Sequence, residues 1–514
     1  MKSPTPTTNP LPDGSQLAAL DIGSNSFHLI VARIEHGEMR PIQILAEKVQ
    51  LGAGLRDNRL SYDAIQRGLD CLSRFSQVLQ SVETERIRVV GTNALRRARN
   101  RRDFTEPAKR ILGCPVDVIY GREEARLVYL GVAHSLADDA AARLVVDIGG
   151  GSTEFVIGEK FEPRRLESLQ MGCVSYTDRF FADGKLTKSA FKHAYDRACV
   201  EVSHIRKSFR ARHWSECVGS SGTLQAIETI VNAQGWCDSG ITRKALQRLR
   251  KQLLQFPDFD SIALEGLSES RRSVIAAGVA IAEALFDVLE VDSMRTSRGA
   301  LREGVLYDLM GRLQHEDVRE RSVNAMMQRY AVDDDTATLV ARRACMLFKA
   351  TAEAWQLTQA DGDLLHRAAL THEIGMSISH KHFHRHGAYL LRNSDMAGFS
   401  QGEQVNMALL VAGHRGKVRR ELFDDVGTPE RRRLQRMLAI IRLASLFKYV
   451  EQLEELPDFS IEASDTILRL GFPDGWLAQH PQTLHELDQE QRLFRKLDLS
   501  LEIGERTATD SPSC

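Results

Sequence analysis

Apolar and polar positions change rhythm twice along the chain. From Leu17 to about Leu313, short β-type runs alternate with stretches patterned at helical period. The runs are LAALDI, FHLIVARI, RIRVVGT, VDVI, RLVVDI, EFVIG and ECVGS; the helical stretches include Tyr62–Leu79, Glu123–Ser135, Ser221–Val231 and Ser273–Val288. Such alternation predicts α/β layers around a mostly parallel sheet. After Arg312 the pattern becomes helical from Val318 to about Leu446, with no proline before Pro429. IEASDTILRL and LDLSLEI then read as strands among Pro- and Gly-bearing turns.

One pattern occurs twice. Ala18-Ala19-Leu20-Asp21-Ile22-Gly23-Ser24-Asn25-Ser26 is answered 126 residues later by Leu144-Val145-Val146-Asp147-Ile148-Gly149-Gly150-Gly151-Ser152. Each is an apolar strand ending in Asp, a Gly/Ser turn and a second strand, as a duplicated α/β unit would produce. Glycine lets turn amides converge on an anion without side-chain obstruction, which suits phosphate. Ser24, Asn25, Ser26, Ser152 and Thr153 add short polar groups, and Asp21, Asp147 and Glu154 can hold a hard cation. The bland alternative is a pair of ordinary hairpin turns.

IYGREEARLVYLGVAHS reads as a strand end, a turn and a helix. Glu123 and Glu124 in its first turn are explained by the helix dipole alone, although a glutamate beside phosphate cradles can also act as a base. Arg86–Arg110 holds nine Lys or Arg against two acids, mostly a solvated face. Arg96 stands apart, because it follows a strand end, where ligands bind in such sheets. Gly219–Thr223 opens another helix and reads equally as a phosphate site or a tight connection. In GALREGVL the apolar face points to packing, with Arg302 and Glu303 at a site edge.

Composition narrows the partners. The 514 residues carry 68 Lys and Arg against 69 Asp and Glu, with 43% hydrophobic residues, so neither a nucleic-acid coater nor an acidic disordered chain is expected. Met1–Asp13, rich in Pro and Thr, reads as a disordered leader. The longest uncharged apolar run, Val274–Ala282, stops at Glu283, too short for an integral membrane segment. Eight scattered cysteines without a CxxC pair point to a reduced, cytoplasmic protein.

In order, DIGSNS with FHLIVARI, GTNALRRA, GREEARLVYLGVAHS, VVDIGGGSTEFVIG, MGCVSYTDRFF, VGSSGT and GALREGVLYDL resemble the exopolyphosphatase/guanosine pentaphosphate phosphatase family. The resemblance implies an α/β fold: duplicated actin-like (ribonuclease H-like) ATPase-superfamily lobes, followed by an all-α HD-like domain and a small α+β C-terminal domain. The expected divisions are 1–14 leader, 15–128 lobe I, 129–313 lobe II, 314–445 HD-like and 446–514 C-terminal. It implies Glu124 as catalytic base, Ser24, Asn25, Arg96, Gly149, Gly150, Gly151 and Ser152 as phosphate contacts, and Asp147 and Glu154 as magnesium ligands, with Asp21 a further candidate. Mg2+ is the implied cofactor, with another divalent ion or a monovalent cation as further options.

Within this resemblance the first reading is an exopolyphosphatase that releases the terminal phosphate of inorganic polyphosphate. The alternative is a phosphatase converting pppGpp to ppGpp, and a more distant one an actin-fold kinase or ATPase. In the HD-like region Thr371-His372-Glu373 stands where His-Asp would be and Val340–Thr351 offers no earlier histidine, so a degenerate, structural fold is expected, although His380, His384, His386 and His414 follow. Arg385, His386, Arg392, His414, Arg415 and Lys417, with Arg419, Arg420 and Arg431–Arg433, form a candidate polyphosphate track. A homodimer is also implied.

Overall fold

The computed structural model describes residues 11–36, 38–136, 142–313, 317–418, 420–424, 426–451 and 456–506. The first ten residues of the expected leader, Arg419 and Cys514 lie outside these. The chain forms two compact units divided between Val318 and Arg319.

The first unit opens with β1 (Gln16–Ile22), β2 (Ser26–Glu35), β3 (Glu38–Lys48), a small hairpin of β4 (Leu55–Arg56) and β5 (Arg59–Leu60), α1 (Tyr62–Leu79), β6 (Ile87–Gly91), α2 (Asn93–Arg97), α3 (Arg102–Leu112), β7 (Val116–Val118) and α4 (Gly121–Ser135). There follow β8 (Arg143–Ile148), β9 (Thr153–Glu159), β10 (Glu162–Leu169), α5 (Cys173–Phe180), α6 (Lys188–Ser203), α7 (Arg206–Phe209), β11 (Glu216–Gly219), α8 (Gly222–Ala233), β12 (Ile241–Thr242), α9 (Arg243–Leu253), α10 (Ile275–Val288), β13 (Ser293–Thr296) and α11 (Leu301–Leu313).

The repeat in sequence is a repeat in topology. One sheet runs β3-β2-β1-β6-β7 and the other β10-β9-β8-β11-β13, with β12 added at its edge. In both, three antiparallel strands adjoin two parallel ones, so the sheets are mixed rather than mostly parallel. The antiparallel half follows from the short Gly/Ser turns, which can only reverse the chain. These are the two actin-like lobes.

The division expected at 128/129 falls inside α4, because one amphipathic helix serves both lobes. α4 and α11 bury Leu127, Val128, Val132, Val305 and Leu309 in a core that also takes Leu17 and Ile30 from the first sheet and Val145, Val156 and Val218 from the second. The two helices cross at glycines. A methyl group on Gly131 or Gly304 would overlap backbone of the facing helix: the Ala300 carbonyl in one case, the Leu127 carbonyl in the other.

The second unit contains α12 (Val318–Arg329), α13 (Asp334–Thr351), α14 (Gln359–Leu370), α15 (Phe383–Asn393), α16 (Gln401–Gly413), α17 (Thr428–Glu451), β14 (Ser460–Ala463), β15 (Ile467–Pro473), α18 (Trp476–Gln479), α19 (Pro481–Phe494) and β16 (Ser500–Arg506). The division expected at 445/446 falls inside α17. Its buried Leu443, Ala444 and Phe447 join Leu468, Phe472 and Phe494 of the C-terminal elements in one core. Among the described residues no helix is long and apolar enough to cross a membrane.

Candidate active site

Two hairpins face each other across a cleft of about 240 Å³ within the first unit. Asp21 pairs with His28 across the first turn, and Asp147 pairs with Glu154 across the second, at equivalent register. The turns touch: a methyl group on Gly150 would lie 3.0 Å from Ser24 Cβ and 3.2 Å from the Asn25 amide nitrogen. On Gly151 it would overlap the Asn93 side chain. Glycine is therefore required here by close approach, not by backbone angle.

The start of α5 sets the direction of the second turn. The Cys173 amide donates to the Gly149 carbonyl at 2.9 Å, and those of Val174 and Ser175 donate to the Gly150 carbonyl at 2.9 and 3.1 Å. Because a trans peptide points N–H opposite to C=O, the Gly150 and Gly151 amides are turned away from α5. Gly149–Ser152 line the cleft, as do Ser24, Asn25 and Ser26. Asn25 Oδ1 is buried without a donor.

Glu124 enters from the first turn of α4 and lines the cleft. Its Oε2 accepts from Arg96 Nη1 at 2.9 Å, and the same nitrogen donates to the Ile119 carbonyl at 2.9 Å. Arg96 therefore serves Glu124 first; its Nη2 is buried without an acceptor. Burial raises the proton affinity of Glu124, and the Arg96 guanidinium opposes that rise. Burial also pushes Asp147 up to about 7, with Glu124 adding to the effect, and holds Asp21 and Glu154 well above the usual carboxylate range.

Glu124 and Asp147 add to the effect of burial on both Asp21 and Glu154, and Asp21 Oδ1 is buried with no hydrogen-bond donor. Such an arrangement fits a hard divalent cation, whose charge would restore the anionic forms. Asp21 and Asp147 line the cleft, whereas Glu154 sits behind it, with Oε1 accepting from Ser168 Oγ at 2.9 Å. Among the described residues no three acidic, His or Cys side chains converge at ligand distance. That geometry suits an ion held by one or two carboxylates, with water and phosphate oxygens filling its shell.

The sequence reading missed part of the lining. Arg271 and Arg298 reach the cleft from loops before α10 and α11, beside Arg302, the residue expected at a site edge. Arg271 lies over Gly222 at the third small-residue turn, where a methyl group would meet its Cζ at 3.0 Å. Ser220 and Ser221 of that turn also line the cleft. His28, the lobe I counterpart of Glu154, is held neutral down to about 4 by burial, with Arg302 and Arg271 adding to the effect. Placement after a strand, as in SRG before α11, was the available signal for Arg298.

The second unit sorts the remaining candidates. Arg385, Arg392, Arg415 and Lys417 are exposed and His386 is half-buried. His414 is not on that surface: it is buried at the end of α16, where its Nδ1 bonds the Val411 carbonyl at 2.7 Å. Its ring packs against His372 and His384. Lys448 Nζ donates to Glu373 Oε1 at 2.6 Å beside His372, so an ammonium group already compensates the HD-like carboxylate.

Known protein families match both units of the chain. The Ppx/GppA phosphatase family matches residues 30–313, and domain III of that family matches residues 318–491. A guanosine-5'-triphosphate,3'-diphosphate pyrophosphatase of Pseudoalteromonas translucida is 38% identical over 96% of this chain and 99% of its own. A protein of the same name from Photobacterium profundum is 40% identical over 92% of this chain and 95% of its own. An exopolyphosphatase from Cytophaga hutchinsonii, 24% identical, shares the fold with a TM-score of 0.53 over 58% of this chain and 98% of its own. The topology of the two lobes and these matches along nearly the whole chain lead to one conclusion: this chain belongs to the Ppx/GppA phosphatase family.

Proposed function

We propose that this protein hydrolyses the 5′-terminal phosphoanhydride of pppGpp, yielding ppGpp and orthophosphate. The observation that carries the substrate is the similarity, over more than nine-tenths of the chain, to two relatives bearing that activity in their names. It reverses the order of the two activities left open by the sequence, in which polyphosphate came first.

The chemistry is read from the cleft. The terminal phosphoryl group rests between the two turns, with the Gly150 and Gly151 amides and the Ser24 and Ser152 side chains around its oxygens. Glu124 takes a proton from water as the water oxygen attacks phosphorus. The bond to the bridging oxygen breaks, and its electrons leave with the ppGpp β-phosphate. Arg96 keeps Glu124 anionic and aimed, while burial makes it a stronger base than an exposed glutamate. Bound Mg2+ would neutralise charge on the phosphate oxygens. Asp147 would hold it, with Asp21 from the facing turn and Glu154 behind.

Arg271, Arg298 and Arg302 supply positive charge for the remaining phosphates. Phosphate release from pppGpp and from long-chain polyphosphate, measured side by side, tests the reading. A higher kcat/KM for pppGpp is expected; a higher value for polyphosphate would restore the exopolyphosphatase reading. Glu124→Ala should abolish release while pppGpp still binds.

A further inference from the structure

A compact network of buried charge lies behind the cleft. Asp308, on α11, is buried, and three guanidinium groups converge on it: Arg88 from β6, Arg126 from α4, and Arg312, whose Nε donates at 2.8 Å. Arg126 also grips Glu123 through two parallel hydrogen bonds of 2.8 Å each. Burial alone would raise the proton affinity of Asp308, yet the three arginines hold its carboxyl well below the usual range, so it is an anion. None of these side chains lines the cleft.

Their backbones nevertheless lead to it. Glu123 is the residue before Glu124 in the first turn of α4. β6, which carries Arg88, runs through Thr92 into the short helix that delivers Arg96, the partner of Glu124. One carboxylate thus braces both elements that bring the Glu124–Arg96 pair together. Arg88 hydrogen-bonds Asp308 through Nη1, with Asp117 Oδ2 3.8 Å from its Nε as a second ion-pair partner.

We propose that Asp308 is a positioning residue for Glu124: through Arg126 and Glu123 it fixes the first turn of α4, and through Arg88 the strand behind Arg96. The proposal rests on Glu124 being the base. A purely structural Asp308 would lower thermal stability and leave turnover per folded molecule unchanged. A positioning Asp308 governs kcat, because a displacement of about 1 Å at a reacting group costs on the order of 100-fold.

The test uses the full chain and phosphate release from pppGpp, comparing Asp308→Asn, Glu124→Gln and the double variant. Asp308→Asn should lower kcat by roughly 10- to 100-fold with KM near the wild-type value. Added to Glu124→Gln, it should cost little further turnover, because the group it positions is already disabled. Wild-type kcat in Asp308→Asn, or an undiminished further loss in the double variant, overturns the proposal. If Asp308→Asn does not fold, Glu123→Gln weakens the same grip, and an unchanged kcat there is equally fatal. Wild-type turnover in Glu124→Gln would instead remove the base reading itself, and this proposal with it.

Discussion

Replacing Gly304 by alanine should separate α4 from α11 and move Glu124. The new methyl group would overlap the Leu127 carbonyl oxygen and lie 2.7 Å from its carbon and 3.0 Å from the Gly131 nitrogen. Ordinary contact begins at 3.4 Å, so the helices must part by at least 0.7 Å, and the obstruction is backbone that cannot rotate aside. Overpacking of this kind costs about 1–3 kcal/mol, against about 1 kcal/mol gained from the better helix former. The net loss is about 1 kcal/mol, a fall of roughly 1–2 °C in the unfolding midpoint of a unit this large. The catalytic effect should be larger, on the order of 10-fold in kcat or more, because the helix that moves carries Glu124. Thermal unfolding and phosphate release from pppGpp, measured on the same preparation, separate the two. Gly131→Ala presses on the same crossing, with the Gly304 nitrogen 2.8 Å from its methyl group. The double variant should therefore be milder than the two changes summed, since one separation relieves both. Wild-type kcat in Gly304→Ala would refute the claim that this crossing sets the position of Glu124.

Chelation of divalent cations should stop phosphate release, and added Mg2+ should restore it; full activity in excess chelator would show that the buried carboxylates work without a cation. Burial holds His372 neutral down to about 4, against an ordinary value of 6.5, so between these pH values the unfolded chain binds more protons and stability falls as pH drops. The contribution reaches about 3 kcal/mol near pH 4, and His372→Gln should flatten the pH dependence of the unfolding midpoint over that window; an unaltered slope would count against it. Arg442 clamps Glu490 with bonds of 2.8 and 2.7 Å and also reaches the Gly413 carbonyl. Arg442→Met strands a buried carboxylate and should cost about 3–5 kcal/mol in denaturant unfolding, much of it recovered by adding Glu490→Met. Equal stability of the two variants would show that the stranded charge is not the cause.

Local pattern made much of this molecule legible. α1 occupies Tyr62–Leu79, where the spacing placed it, because its buried residues Ala64, Ile65, Gly68, Leu72 and Phe75 recur at one helical face. The repeated strand-turn-strand showed the duplication because both hairpins are continuous in sequence. The edge strands β3 and β10 were not visible. EMRPIQILAEK carries Pro41 and several charges and buries neither face, so no alternation marks it. Arg271 and Arg298 were missed because distant loops bring them to the cleft. His414 sits in sequence beside the basic Arg415 and Lys417, which drew it into the surface track. Its spacing from buried Leu410 and Val411, four and three residues earlier, was the better guide.

The return of α11 has a consequence for synthesis. Lobe I starts at β1, yet part of its core is supplied by Leu301, Val305, Leu306 and Leu309, which are translated after the whole of lobe II. At roughly 5–20 residues per second, α11 is made on the order of 10–40 s after α4. During that interval the first sheet and α4 leave an apolar seam open to solvent. A nascent chain therefore cannot finish its domains one by one from the N-terminus; the first is closed by the last helix of the second. A ribosome stalled before residue 301 should hold a first lobe still open to protease, and one stalled well beyond residue 313 should hold a protected one.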